Sequence, residues 1–236
     1  KHWMKWWDRS ICWVPADCLP GRVTREKYQR LLLDAKNMHM NLMRVWGGGV
    51  YEKEAFYDYC DEYGIMVWQD FMFACAYYPD YDADFCDEIR KEAESVIKRL
   101  RNRACMFGWS GNNENYAMYL GYKRYNDDPM PFYGQKIYEE LLLSVCTKYD
   151  PDRIYRFSSP YGYDSYREDD FLSGDSHTWQ YSLIEGTEDF LNLWKYSVGE
   201  YKFLSEFGVL SSLNVESMEK CVSESERYPG SEEWKH

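Results

Sequence analysis

Short apolar runs alternate with amphipathic helical stretches along almost the whole chain, and this alternation restricts the fold more than any other feature. Consecutive strands joined by long helical crossovers belong to a parallel sheet covered by helices. Ser10–Val14 reads as a first strand, ended by Pro15. Thr24 is placed to cap a helix whose apolar positions Tyr28, Leu31, Leu32, Ala35 and Met38 share one face. Asn41–Trp46 is a second strand, stopped by three glycines. A second helix follows, with Gly64 at its C-terminal stop, and leads into a third strand over Ile65–Phe71.

A long helix from about Asp84 to Arg103 repeats Phe85, Ile89, Ala93, Val96, Ile97 and Leu100 at helical spacing. The fourth strand is Cys105–Trp109, and a fourth helix carries Ile137, Leu141 and Val145. Weaker strand signals lie in Arg153–Ser159, Phe171–Trp179 and Lys202–Gly208. Seven strand–helix steps predict a (β/α)8 barrel one unit short, since a complete barrel takes about 250 residues. An open doubly wound sheet alternates in the same way but would show a Gly-rich phosphate turn after its first strand. Here the first strand runs into PADCLPGR, and the triple glycine has no GxGxxG spacing.

In a barrel the working groups sit at the carboxyl ends of the strands. Those positions hold Asp17, then Arg44 and Trp46, then Gln69 and Asp70, then Asn112, Asn113 and Glu114. After the sixth and seventh runs come Asp175, His177 and Trp179, and then Ser205 and Glu206. Two glutamates at one mouth are what glycosidic bond cleavage requires, one to protonate the leaving oxygen and one to attack the anomeric carbon. On spacing alone this stays open, because a glutamate after a strand is often only a helix-start residue favoured by the helix dipole.

Composition narrows the ligand. With 23 Tyr and 10 Trp, the chain has more large rings than a core alone needs, so some should line a cleft, where rings stack on sugar faces. A formal net charge of -12 argues against a nucleic-acid partner. The longest apolar run, Phe71–Tyr78, is far shorter than the ~20 residues that span a bilayer, so no membrane partner is expected. Eight scattered cysteines without a CxxC pair read as core residues of a reducing compartment, which with no apolar signal core at the amino terminus favours a cytoplasmic location. Four scattered histidines without HxH or HExxH spacing predict no metal, and no cofactor is expected.

Seven collinear segments carry a more specific signal: WVPADCLPGRVT, NLMRVWGGGVYE, YGIMVWQDFMFACAYYP, WSGNNEN, SSPYG, GDSHTW and LSEFG. Together they resemble the β-mannosidases of glycoside hydrolase family 2, over nearly the whole chain. The resemblance implies a single catalytic barrel domain over residues 1–236 and a retaining mechanism on terminal β-D-mannose. Glu114 would be the acid/base and Glu206 the nucleophile. Asn113 would bind the 2-hydroxyl, Arg44 would hold Glu206 ionised, Trp46 would wall the sugar site, and His177 and Trp179 would meet substrate. Each has a plainer reading: Arg44 as a barrel salt bridge, Trp46, Trp68 and Trp109 as packing, His177 as a satisfied loop histidine, Asp70 as a structural strand end.

Relatives of this kind carry β-sandwich domains before the barrel and further β domains after it. The stretch after Glu206 shows no eighth strand, which predicts a catalytic fragment truncated at both ends, completed by a partner chain or by further domains. The ligand expected is a β-mannoside oligosaccharide or glycan. A β-galactosidase- or β-glucuronidase-type enzyme, or an inactive carbohydrate-binding fragment, are the alternatives.

Overall fold

The computed structural model describes residues 10–161, 174–178, 203–208, 214–228 and 230–233. They fall in two compact units, Lys1–Thr178 with Val198–Phe207, and Trp179–Ser197 with Gly208–His236.

The first unit is built on parallel strands, as the alternation predicts. β1 (Ser10–Trp13), β2 (Leu42–Val45), β3 (Met66–Asp70), β4 (Met106–Ser110) and β5 (Ile154–Arg156) form one sheet in that order, every pair parallel. β6 (Ser176–Thr178) and β7 (Leu204–Phe207) pair in parallel as a second sheet. β7 also lies near β1, where Ser10 Oγ donates to the Leu204 carbonyl at 3.0 Å. Single bridges, Ala74 to Asn113 and Asn113 to Ser159, carry the ladder beyond the carboxyl ends of β3, β4 and β5. Strand five is shorter than expected, and parts of the expected strands six and seven lie outside the described residues.

The helices cover one face of the sheet. α1 (Arg25–Asn37) starts at Thr24, whose Oγ1 accepts from the Lys27 amide at 3.3 Å, and buries Tyr28, Leu32 and Ala35. Met38, expected on that apolar face, instead forms the exposed C-cap. α2 (Glu54–Tyr63) stops at Gly64, whose φ of 71° is a left-handed value open to glycine. α3 (Ala83–Leu100) is capped by Asp82, which accepts from the Asp84 and Phe85 amides, and buries Ile89, Ala93, Val96, Ile97 and Leu100. A π-wound turn at Ile137–Leu142 runs into α5 (Leu143–Tyr149).

Between α3 and α5 the sequence reading missed a helix, α4 (Asn115–Arg124). Its tyrosines and Gly121 give no continuous apolar stripe, and only Asn115 and Ala117 are buried, so the period that reveals a helix is absent.

Strand alternation decides which side chains reach the site. Met43, Val45, Val67 and Trp109 point into the helix-covered core. Arg44 and Asp70, one residue off in phase from Val45 and Gln69, point to the other face and are fully buried there. β2 is buried along its whole length, as expected of a parallel strand covered on both sides. The second unit contributes α6 (Val215–Cys221), capped by the Asn214 side chain, and a 3-10 turn at Glu224–Glu226. Among the described residues it holds no strand, and no helix of either unit is long and apolar enough to cross a membrane.

Candidate active site

The stretch after β4 explains its polarity residue by residue. Asn112 is structural: its Oδ1 accepts from the Asn115 amide at 3.0 Å and from Ser158 Oγ at 2.9 Å, and its Nδ2 donates to the Phe157 carbonyl at 2.7 Å. Asn113 is stitched to the segment after β3, its amide donating to the Phe73 carbonyl at 2.8 Å and its carbonyl accepting from the Cys75 amide at 3.0 Å. Glu114 then turns sharply into α4 at φ 63°, a left-handed conformation that a non-glycine residue holds only under constraint from its surroundings. Its amide is fixed on the Ser159 carbonyl at 2.7 Å. The turn sends Asn115 into the core, where its Nδ2 meets Tyr138 Oη at 2.6 Å.

Arg44 organises the other side. Its Nε and Nη2 form a fork on Asp70, at 3.2 and 2.7 Å. Nη2 also donates to Asn113 Oδ1 at 2.8 Å, and Nη1 donates to Glu206 Oε2 at 3.0 Å. Nη1 lies 3.0 Å from His177 Nε2 as well. Burial works against the Arg44 charge, but the carboxylates of Asp70, Asp175 and Glu206 around it hold it firmly ionised.

Glu206 lies on β7 and is aligned with His177 on β6, in a register shifted by a bulge between Ser176 and His177. His177 Nδ1 is 2.8 Å from Glu114 Oε1 and 3.6 Å from Glu206 Oε2. Glu114, His177 and Glu206 each present one ligand-type atom within 4.8 Å of the others. Among the described residues this is the grouping that could hold a cation, and Arg44, 3.0 Å from both Glu206 and His177, already supplies positive charge there. A second polar set lies behind His177. Ser159 Oγ is 3.0 Å from its Nε2 and donates to Asp175 Oδ2 at 2.6 Å, to which Ser205 Oγ also donates at 2.6 Å.

Of the residues named from the sequence, Arg44, Asp70, Asn113, Glu114, Asp175, His177, Ser205 and Glu206 therefore converge. Asp17 does not, because it ends in ion pairs with Arg22 in the same connection and with Lys27 in the first turn of α1. Gln69, on the opposite face of β3 from Asp70, accepts from Tyr57 Oη at 2.7 Å. Trp109 is fully buried against Phe71 and donates to Asp150 Oδ2 at 2.9 Å, so it packs on the helix side. The half-buried Trp46 follows β2 with its indole folded across the Gly48 backbone. Trp179 lies outside the described residues.

Three contributors were missed. Cys75 Sγ approaches Glu114 Oε2 at 3.5 Å and accepts from Asn113 Nδ2 at 3.5 Å. Burial, reinforced by Glu114, pushes the Cys75 thiol up to about 11. Cys12 Sγ faces Glu206 Oε2 at 4.0 Å, and Ser159 reaches His177. Listing the polar residue just past strand five, as for the other strands, would have found Ser159; the cysteines carry no such signal because they read equally as core.

Burial pushes the Glu114 carboxyl up, but the hydrogen bond to His177, the Cys75 thiol and Arg44 outweigh it, leaving Glu114 below the ordinary glutamate value. The arrangement provides a carboxylate held by a guanidinium, a second carboxylate within a few ångströms that is partly open to solvent, and an amide beside both.

No family model matches the chain. It is 36% identical over 230 residues to β-mannosidase B of Aspergillus fumigatus, which covers 93% of this chain and 26% of that protein. Against β-mannosidase of Capra hircus it is 35% identical over 217 residues, 90% of this chain and 25% of the relative. The solved β-D-mannosidase of Dictyoglomus thermophilum superposes with a TM-score of 0.84 at 43% identity, over 96% of this chain and 27% of that one. A family 2 β-galacturonidase of Eisenbergiella tayi, at a TM-score of 0.53 and 16% identity, shares the fold alone. These neighbours make the first unit a TIM-barrel-like α/β domain. The chain spans about a quarter of the length of the curated relatives it matches. Collinear with them over nearly all of its residues, it is a homologue of the β-mannosidases, matching one continuous quarter of their length.

Proposed function

We propose that this chain carries the catalytic pair of a retaining glycoside hydrolase that removes terminal non-reducing β-D-mannose from oligosaccharides or glycans. The observation that carries the reading is the approach of Glu114 and Glu206, whose nearest carboxylate oxygens lie within 4.8 Å, with Arg44 bonded to Glu206. Retaining enzymes hold the two carboxyl groups about 5–5.5 Å apart, inverting ones about 6.5–9.5 Å, to admit a water. The close spacing supports double displacement.

In the first step Glu206 attacks the anomeric carbon while Glu114 passes a proton to the glycosidic oxygen, so the leaving sugar departs as an alcohol and a mannosyl ester forms on Glu206. Water then attacks the anomeric carbon of the mannosyl ester, Glu114 takes its proton, the bond from that carbon to Glu206 breaks, and Glu206 leaves as carboxylate. Arg44 serves the nucleophile by aligning it through a charge-assisted bond to Oε2. Asn113, its Oδ1 engaged by Arg44, keeps an Nδ2 hydrogen for the sugar 2-hydroxyl. Trp46 supplies a ring face for the sugar, and the strands close around the site as a (β/α)8 barrel.

The decisive measurement is turnover of aryl β-mannosides, alongside β-galactosides and β-glucuronides, by the full-length protein and by Glu206→Gln. The reading expects mannoside preference, β-mannose as first product by NMR, and a loss of about 10³-fold or more in Glu206→Gln. Normal activity in that variant, or α-mannose as first product, overturns it.

A further inference from the structure

His177 was expected to touch a sugar hydroxyl, yet both of its ring nitrogens are engaged by the protein. The chemistry of its neighbours fixes how. Arginine only donates, and Arg44 has five N–H groups. Four meet Asp70 Oδ1, Asp70 Oδ2, Asn113 Oδ1 and Glu206 Oε2. The acceptor for the fifth is His177 Nε2, 3.0 Å from Nη1. A nitrogen that accepts carries no hydrogen, so the ring proton of the neutral imidazole belongs on Nδ1, 2.8 Å from Glu114 Oε1. Ser159 Oγ, 3.0 Å from Nε2, gives its one hydrogen to Asp175 Oδ2 and so makes no second claim on the Nε2 lone pair.

We propose that His177 is a positioning residue for Glu114, locked by Arg44 in the Nδ1–H tautomer so that it donates to Glu114 Oε1 and biases that carboxyl toward its proton-accepting form. The inference rests on the acid/base role proposed for Glu114. A donor aimed at Oε1 stabilises the carboxylate needed when water attacks the mannosyl ester, and opposes the protonated form needed in the first step. The same Nδ1 is 3.6 Å from Glu206 Oε2. Esterification of Glu206 removes the competing negative charge and leaves that hydrogen to Glu114 alone, at the stage when a base is required. The charged and titratable groups around His177 are Arg44 from β2, Asp70 from β3, Glu114 beyond β4 and Glu206 from β7, with Cys75 behind Glu114, Cys12 behind Glu206 and Asp175 behind Ser159.

Two readouts test this. Nitrogen-15 NMR of histidine-labelled protein should place the His177 hydrogen on Nδ1 near neutral pH; the signal is identified by its loss in His177→Leu, or by replacing His2, His39 and His236 with Gln if that variant does not fold. An Nε2–H tautomer overturns the proposal whatever the enzyme's activity. The second readout is the pH profile of kcat/KM in the full-length protein. His177→Leu should move the alkaline limb up by about one pH unit, and His177→Asn, whose amide nitrogen lies near the place of Nδ1, should restore it. Azide rescue of Glu114→Ala separates the two ideas. Rescue with an unmoved limb in His177→Leu overturns the role of His177. No rescue overturns the acid/base reading, and the tautomer, with the titration of the Glu114 carboxyl by carbon-13 NMR, then decides the donor claim by itself.

Discussion

Arg44 is the residue on which the site depends, because one fully buried guanidinium meets two carboxylates, an amide and an imidazole. Lysine has a comparable charge but not the fork, so Arg44→Lys should lower kcat/KM by ~10²-fold, mostly through kcat, as steady-state kinetics would show. Arg44→Met leaves Asp70 buried and uncompensated and should destabilise the fold by about 3–5 kcal/mol in urea titration. Glu114 makes a second prediction at this scale. Its carboxyl is held below the ordinary glutamate value of about 4.3, and the first chemical step needs it protonated. The protonated fraction falls as pH rises through that lowered value, so kcat/KM should be highest in acid and decline toward neutrality. A profile flat from pH 4 to 7 would contradict this.

At the scale of elements, the turn after β2 is as constrained as the residues it carries. A Cβ at Gly47 would lie 2.6 Å from the Phe73 carbonyl oxygen and 2.8 Å from that of Phe71, both backbone atoms of the segment following β3. The Gly47 amide also donates to Asp70 Oδ2 at 3.0 Å. Gly47→Ala therefore forces the two loops apart, and should cost about 1–3 kcal/mol in stability and lower activity by loosening Asp70, and with it Arg44. Unchanged stability in that variant would show that the loops have slack. Gly64 has open space around it, so Gly64→Ala carries only the left-handed strain of α2's last turn, about 1 kcal/mol.

For the molecule as a whole, surface ion pairs set its response to acid. Bonds from Arg22, then Lys27, depress the Asp17 carboxyl, and bonds from Arg103, then Arg25, depress Asp58. A depressed carboxylate adds stability that is complete above its unfolded value of about 3.9 and lost as pH falls through its folded one. Melting temperature should thus drop steadily below about pH 4. Asp58→Asn should melt lower than the parent at pH 7 and converge with it toward pH 2. A gap that persists at pH 2 would assign the effect of Asp58 to packing.

The sequence by itself determined the parallel α/β plan, since a helix starting at Thr24, another stopping at Gly64 and a third from about Asp84 follow from local capping chemistry and apolar spacing. It also placed Glu114 and Glu206 at strand ends, and its collinear motifs tied the chain to the β-mannosidases. Only the tertiary structure decided which strand-end groups meet. Gln69 and Asp70 are neighbours of similar polarity, and the phase of β3 against its two faces, set by long-range packing, sends one to Tyr57 and the other to Arg44. Arg44 and Glu206 are 162 residues apart, and the shifted register between β6 and β7 pairs His177 with Glu206 while its Nδ1 reaches Glu114. No local pattern encodes such contacts, because they depend on register and curvature, which arise only when all the strands pack together.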